Sequence, residues 1–261
     1  MWNELQILRQ QYLDLKLDQV INYEKFAMIS IVYNSTKIEG CSLTENDTKV
    51  LLEKDITAKG KPLSDHLMVK DHYTAFQVIK EQALKKREIS IQFFKEVAAL
   101  VMKNTGSVVN SIAGSFDTAK GDIRLAQVYV DKKYFPDYKK VESLLKQLAD
   151  NVNNRIRHVK GIDILKLSAD IHYNLVNIHP FGDGNGRTAR LMMNYVQLFH
   201  NEPLIKIFTE DRAEYIDALN LSEEDQDISI FQEFICKQQI KFYTNELEKF
   251  RNKDKGFSLL F

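Results

Sequence analysis

The sequence predicts a mainly α-helical protein with one short β-hairpin, and three observations carry that prediction. Only four prolines and ten glycines occur in 261 residues, beside many Leu, Lys, Glu and Gln, which form helices at little cost. Apolar residues recur three and four positions apart through much of the chain. Strand-like alternation is confined to GDIRLAQVYVD, Gly121 to Asp131, where Ile123, Leu125, Val128 and Val130 alternate imperfectly.

The elements follow in order. Leu5, Leu8, Tyr12 and Leu15 mark a first amphipathic helix. A second, rich in Ile, Phe and Tyr, runs to about Glu39, where Gly40 can supply the left-handed residue that closes a helix. Thr44 and Asp47 read as an N-cap and its reciprocal partner, opening a helix through about Glu53. The AKGKP loop, Ala58 to Pro62, is the best internal boundary, and Val69, Tyr73, Phe76 and Ile79 resume the helical period beyond it. Ile164, Leu167, Ile171, Leu175 and Ile178 predict a helix that delivers His179 to a fixed point at its end. Leu191, Tyr195 and Leu198 continue a following helix, which places Asn185 and Gly186 at its start. The tail NKDKGFSLLF reads as a frayed end or a small docking segment.

Lys plus Arg and Asp plus Glu each total 36, so no global field points to nucleic acid and no acidic excess to disorder. Cys41 and Cys236 match no metal or redox spacing and read as ordinary buried thiols of a reducing compartment. The longest apolar run, Phe26 to Tyr33, is too short to cross a bilayer, and the first residues mix charge with apolar groups. We therefore expect a cytoplasmic protein with no nucleic-acid and no membrane partner.

The chemistry concentrates in NIHPFGDGNGRTAR, Asn177 to Arg190. Gly182, Gly184 and Gly186 let a ligand approach the backbone, and they feed a helix N-terminus whose bare N–H groups and positive dipole end bind anions. Arg187 and Arg190, three apart, can fork onto phosphate oxygens, so more than one phosphate is implied. Asp183 offers the single hard oxygen that Mg²⁺ commonly takes beside substrate phosphates and water. His179 can act as general base on an incoming hydroxyl, a role worth roughly 10²–10⁴-fold in rate. These parts describe nucleotidyl or phosphoryl transfer from a Mg-nucleotide. The spacing is not that of a dinucleotide-binding G-x-G-x-x-G, and no Walker-type G-x-x-x-x-G-K-[ST] occurs. His172 reads as a structural histidine rather than a metal partner of His179; His66, His72, His158 and His200 have no partners by spacing.

From His179 to Arg190 the stretch resembles the Fic motif, H-P-F-x-[DE]-G-N-G-R-x-x-R, at every defined position. Fic proteins are mainly α-helical, and most transfer AMP from ATP to a hydroxyl of a target protein, releasing pyrophosphate. The resemblance implies a Fic-type helical bundle with a short β-hairpin flap, here GDIRLAQVYV, that holds a target segment by main-chain hydrogen bonds. It makes His179 the base and Asp183 the Mg²⁺ ligand, with Phe181 and Gly182, at the variable position, in the nucleotide site. Gly184, Asn185 and Gly186 would line the hole for the α- and β-phosphates, Arg187 would meet the distal phosphates, and Arg190 would lie near the γ-phosphate. Tyr215, in RAEYIDAL, matches a tyrosine near the nucleotide base, with packing in the core as the rival role.

A second motif, STKIEG, Ser35 to Gly40, is similar to the family's inhibitory motif, [ST]-x-x-x-E-[GN]. The resemblance thus divides the chain into an N-terminal helical region with an inhibitory helix, 1–60, a Fic core, 61–220, and a C-terminal helix and tail, 221–261. The expected partners are ATP and a target protein bearing a Tyr, Ser or Thr hydroxyl; assembly into homo-oligomers is left open. Three alternatives stand beside the autoinhibited adenylyltransferase. They are removal of AMP with Glu39 orienting water, transfer of another piece of a nucleotide, and nucleotide binding without catalysis.

Overall fold

The structure, a computed structural model, describes residues 1–17, 20, 23–130 and 133–251, so the tail expected to fray or dock lies outside the described residues. The first half of the chain forms α1 (Trp2–Asp14), α2 (Tyr23–Ile38), α3 (Glu45–Lys54), α4 (Leu63–Leu84) and α5 (Ile91–Val101). Two short antiparallel pairs follow, β1 (Val108–Ser111) with β2 (Gly114–Asp117) and β3 (Tyr129–Val130) with β4 (Lys133–Tyr134). The second half forms α6 (Tyr138–Ile156), α7 (Ile162–Ile178), α8 (Asn185–Phe199), α9 (Arg212–Glu224) and α10 (Ser229–Arg251).

Local signals set the helix ends. Thr44 Oγ1 accepts from the Asp47 amide (3.1 Å) while Asp47 Oδ2 accepts from the Thr44 amide (3.0 Å), so the expected capping box opens α3. Gly40 takes φ 94° just past α2, the stop expected of it. His66 clasps the AKGKP loop: one ring nitrogen accepts from the Ala58 amide (2.9 Å) and the other meets the Pro62 carbonyl (2.8 Å).

α7 and α8 lie between two apolar cores. Leu167, Ile171 and Leu175 of α7 join Phe76, Phe93, Phe94 and Leu145 from α4, α5 and α6. Leu165 and Ala169 on its other side join Leu5, Tyr12, Phe231 and Tyr243 from α1 and α10. A third, smaller cluster of Val32, Cys41, Leu43, Leu51 and Val69 seats α2 and α3 on α4. Buried on two sides, α7 cannot shift without opening a core, and truncating Ile171 to Ala would cost about 2–5 kcal/mol. His179 sits at the end of that rigid rod. Cys41 and Cys236 are both buried free thiols, as expected.

Two short hairpins form where the sequence predicts one: β3–β4 begins at the end of the expected stretch, while β1–β2, with Ser111 opposite Gly114 at φ 129°, lies before it in strands too short to show alternation. Within Gly121 to Asp131 only Tyr129 and Val130 pair, with Tyr134 and Lys133; Asp131 lies outside the described residues. The preceding part stays extended without a partner strand, tied down by one bridge from Ile123 to Phe181 and by the side chain of Arg124. Its backbone bonds go singly to several neighbours, with the Arg124 amide donating to Pro180 O, Ser111 Oγ to Leu125 O and the Phe135 amide to Val128 O.

Candidate active site

Two helix ends meet at the motif. α7 closes on His179 in the left-handed region, φ 50° and ψ 58°, with its amide bonded to the Leu175 carbonyl (3.1 Å). A non-glycine residue there is uncommon and is held by its surroundings. The His179 ring stacks on Phe135 with centroids 4.0 Å apart. Burial pulls its pKa down from 6.5 to about 4, with Arg124 and Lys133 adding to the effect while a Val176 backbone contact and Asp183 oppose it. The imidazole is therefore neutral at pH 7, the state a general base needs.

Arg124 is the residue the sequence did not reveal. Fully buried, it donates to three carbonyls: from Nε to His179 (2.7 Å), from Nη1 to Ala126 (2.7 Å) and from Nη2 to Pro136 (2.6 Å). Its own amide bonds to Pro180 O (3.0 Å). One guanidinium thus buckles the extended segment to the histidine turn. Backbone carbonyls carry no residue identity, so no sequence spacing could have shown this.

The glycines do separate work. Gly184 is the N-cap of α8 at φ 77°, where a side chain would be strained. A Cβ at Gly182 would come within 2.7 Å of the Phe116 ring on β2, and one at Gly186 within 2.6 Å of Glu39 Oε1. Asn185 staples the loop: Oδ1 accepts from the Phe181 amide (3.0 Å) and Nδ2 donates to the Phe181 carbonyl (2.8 Å). Its side chain is therefore committed, and its share in an anion site falls to its backbone. Phe181 is buried in the main core.

Asp183 stands exposed at the mouth, its Oδ1 accepting from the Gly184 amide (2.5 Å) and lying 3.6 Å from Arg187 Nη2. Among the described residues no group of three or more His, Cys, Asp or Glu side chains could hold a metal ion. One carboxylate beside a helix N-terminus suits a cation that takes its other ligands from phosphate and water. Arg187 is turned inward, donating to Met102 Sδ (3.2 Å) and, at 3.4 Å, to Val101 O.

Arg190 is buried under α2. Its Nε donates to Ser35 Oγ (2.8 Å), and its Nη2 donates to Ser35 O (2.9 Å) and Glu39 Oε1 (2.5 Å). Burial favours a protonated Glu39, yet Arg190 outweighs it and, with Arg187 and Arg212, holds the carboxyl below its usual range. Two further bonds secure this end of α2: Arg212 Nε donates to Ile38 O (2.8 Å), and the Thr209 amide to Asn34 Oδ1 (2.9 Å). Tyr215 lies beneath, 3% exposed, with its hydroxyl 3.5 Å from Arg190 Nη1 and 3.2 Å from His172 Nε2. His172 itself stacks on Phe231, centroids 5.0 Å apart, in keeping with a structural role.

Fold and site together define a helical domain that presents a neutral histidine beside a glycine-rich helix start. Residues 88–197 match the family model described as Fic/DOC family, so this stretch is a Fic/DOC domain. Protein adenylyltransferase fic-1 of Caenorhabditis briggsae is 34% identical over 196 residues, covering 73% of this chain and 36% of its own length. Protein adenylyltransferase Fic of Drosophila erecta is 32% identical over 213 residues, with 82% and 40% covered. This chain therefore spans about two-fifths of the length of these curated relatives. Among solved structures, Fic-1 from C. elegans superposes with a TM-score of 0.78 at 27% identity, covering 97% of this chain and 72% of its own. A Fic-domain-containing signaling protein from Bacteroides thetaiotaomicron shares the fold along 98% of this chain and 99% of its own, with a TM-score of 0.80 at 23% identity.

Proposed function

We propose that the chain is a protein adenylyltransferase, transferring AMP from Mg-ATP to a hydroxyl of a target protein, and that α2 restrains it. The observation carrying this reading is the contact of Glu39 and Ser35 with Arg190, made between motifs 140 residues apart from Glu39 to His179. Glu39 Oε1 stands over Gly186 at the anion-binding end of α8, so carboxylate and phosphate compete for one guanidinium and one set of backbone donors.

In the reaction the target hydroxyl loses its proton to the neutral imidazole of His179 as its oxygen bonds to the α-phosphorus. The bond from that phosphorus to the bridging oxygen breaks, and pyrophosphate leaves. Asp183 would hold Mg²⁺, which when bound supplies charge neutralisation to the phosphates. The backbone of Gly184, Asn185 and Gly186 would receive phosphate oxygens, and Arg187 would turn from Met102 toward the distal phosphates. The expected target group is a Tyr, Ser or Thr side chain, and the expected setting is the cytoplasm.

The test is incorporation of label from α-labelled ATP into the protein itself. Glu39→Gly should raise it about 5- to 150-fold, the range for losing a charge-assisted contact of 1–3 kcal/mol. His179→Ala in that background should return it to nothing. Incorporation by Glu39→Gly no greater than wild type would overturn the restraint and favour Glu39 as a residue serving AMP removal.

A further inference from the structure

Beside the N-terminal half of α2 lies a cleft of about 510 Å³, between α2, α3, the 204–208 segment and the end of α10. Tyr23, Phe26 and Ser30 form one wall, Phe242 and Lys249 the other, and Lys206 reaches in from below. The cleft is of a size that takes a small molecule, and its lining is mostly apolar.

Its charges are uneven. Three ammonium groups, Lys49, Lys206 and Lys249, face two carboxylates, Glu45 and Glu246. Glu246 is already spent: Oε2 accepts from Tyr23 Oη (2.7 Å) and Oε1 from Lys249 Nζ (2.7 Å). Glu210, which also acts on Lys206 at longer range, pairs with Lys241 at 3.1 Å. Glu45 stands exposed at the rim. Among the ion pairs of the described residues none includes Lys49 or Lys206, although both are half-buried. Lys206 Nζ instead lies 4.2 Å from the Phe208 ring centre, 5.7 Å from that of Phe242, and 3.5 Å from Ser30 Oγ. Lys49 Nζ lies 4.9 Å from the Phe26 ring centre. Burial lowers the Lys206 pKa, and Lys249 adds to that. A cation taken partly from water onto aromatic faces, without its own carboxylate, is a ready partner for an anion.

We propose that this cleft binds a small amphipathic anion, an aromatic or apolar body bearing one carboxylate, phosphate or sulfonate. The head group meets Lys206 and Lys49, the hydroxyl of Ser30 supplies a further donor, and the body lies against Phe26 and Phe242. Bound there, it bridges α2 to α10 and to the segment whose Thr209 amide already holds Asn34. The ligand thereby fastens the helix that carries Ser35 and Glu39. This holds whether or not the chain transfers AMP, because neither the cleft nor its test involves nucleotide.

The probe is anilinonaphthalene sulfonate, titrated by fluorescence against the folded full chain, with its uncharged parent phenylnaphthylamine for comparison. Wild type and Lys206→Arg should bind the sulfonate saturably at one site. Lys206→Met should lose about tenfold in affinity for it, the worth of one charge-assisted contact, and keep its affinity for the neutral probe. Lys146→Met, on the exposed face of α6, should behave as wild type. Bound sulfonate should also slow amide exchange in α2 around Phe26 to Ile31. Equal sulfonate affinity in wild type and Lys206→Met, or exchange in α2 unchanged at saturation, would overturn the proposal.

Discussion

At the scale of single residues, the protonation state of His179 is set by its surroundings. Burial and the neighbouring cations bring its pKa from 6.5 to about 4. Between those values an unfolded chain binds a proton at this ring that the folded chain does not, so stability falls as pH drops through that window and is unaffected above it. The same shift keeps the base available in mild acid. The acid limb of the pH–rate profile should therefore bend toward pH 4 rather than 6.5, measured on Glu39→Gly for signal; a limb centred on 6.5 would place the working base elsewhere. His179→Ala should abolish transfer while calorimetry finds Mg-ATP affinity largely intact, because the phosphate donors are backbone groups and arginines.

Among the elements, the extended segment before β3 depends on Arg124 as a helix depends on its ladder. Removing that guanidinium leaves the carbonyls of His179, Ala126 and Pro136 without that donor in a partly buried place. Arg124→Met should cost about 2–4 kcal/mol in denaturant unfolding, from several unpaired acceptors at roughly 1 kcal/mol or more apiece. In the Glu39→Gly background it should also raise the KM for a target peptide more than that for ATP. A variant as stable as wild type would show that those carbonyls find other partners. The helices with a clear apolar period or cap were readable, whereas α5 and α6 were not singled out in the sequence. The capping box at Thr44 and Asp47 and the stop at Gly40 are patterns within four residues, and their partners lie where the pattern says. The β1–β2 hairpin was not readable, because each strand has only four residues, too few to show an alternation.

For the whole molecule, the restraint we propose is a competition between a helix of the same chain and a nucleotide. A ligand that binds only the folded state stabilises it by about 2.7 kcal/mol at a hundred times its dissociation constant. At one concentration of Mg-ATP, Glu39→Gly should therefore gain more in melting temperature than wild type, and identical shifts would mean that Glu39 and nucleotide do not contend. The sequence by itself determined the helical class, the end of α2, the start of α3 and the residue types from which the proposed chemistry of His179 to Arg190 is built, because these rest on contacts between near neighbours and on which residue types can bind phosphate. Even the tie between STKIEG and the motif was legible only through a family resemblance. Tertiary structure alone decided that Arg190 is gripped by Ser35 and Glu39, that Arg187 turns in to Met102, that Asn185 is spent on Phe181, and that Arg124 holds the histidine turn. Apart from Asn185 to Phe181, a contact across four residues, each of those is a bond whose partner is chosen by how α2, α5, α7 and α8 pack. A buried guanidinium must bond to whatever acceptor that packing brings within reach, and no local pattern records which one it will be.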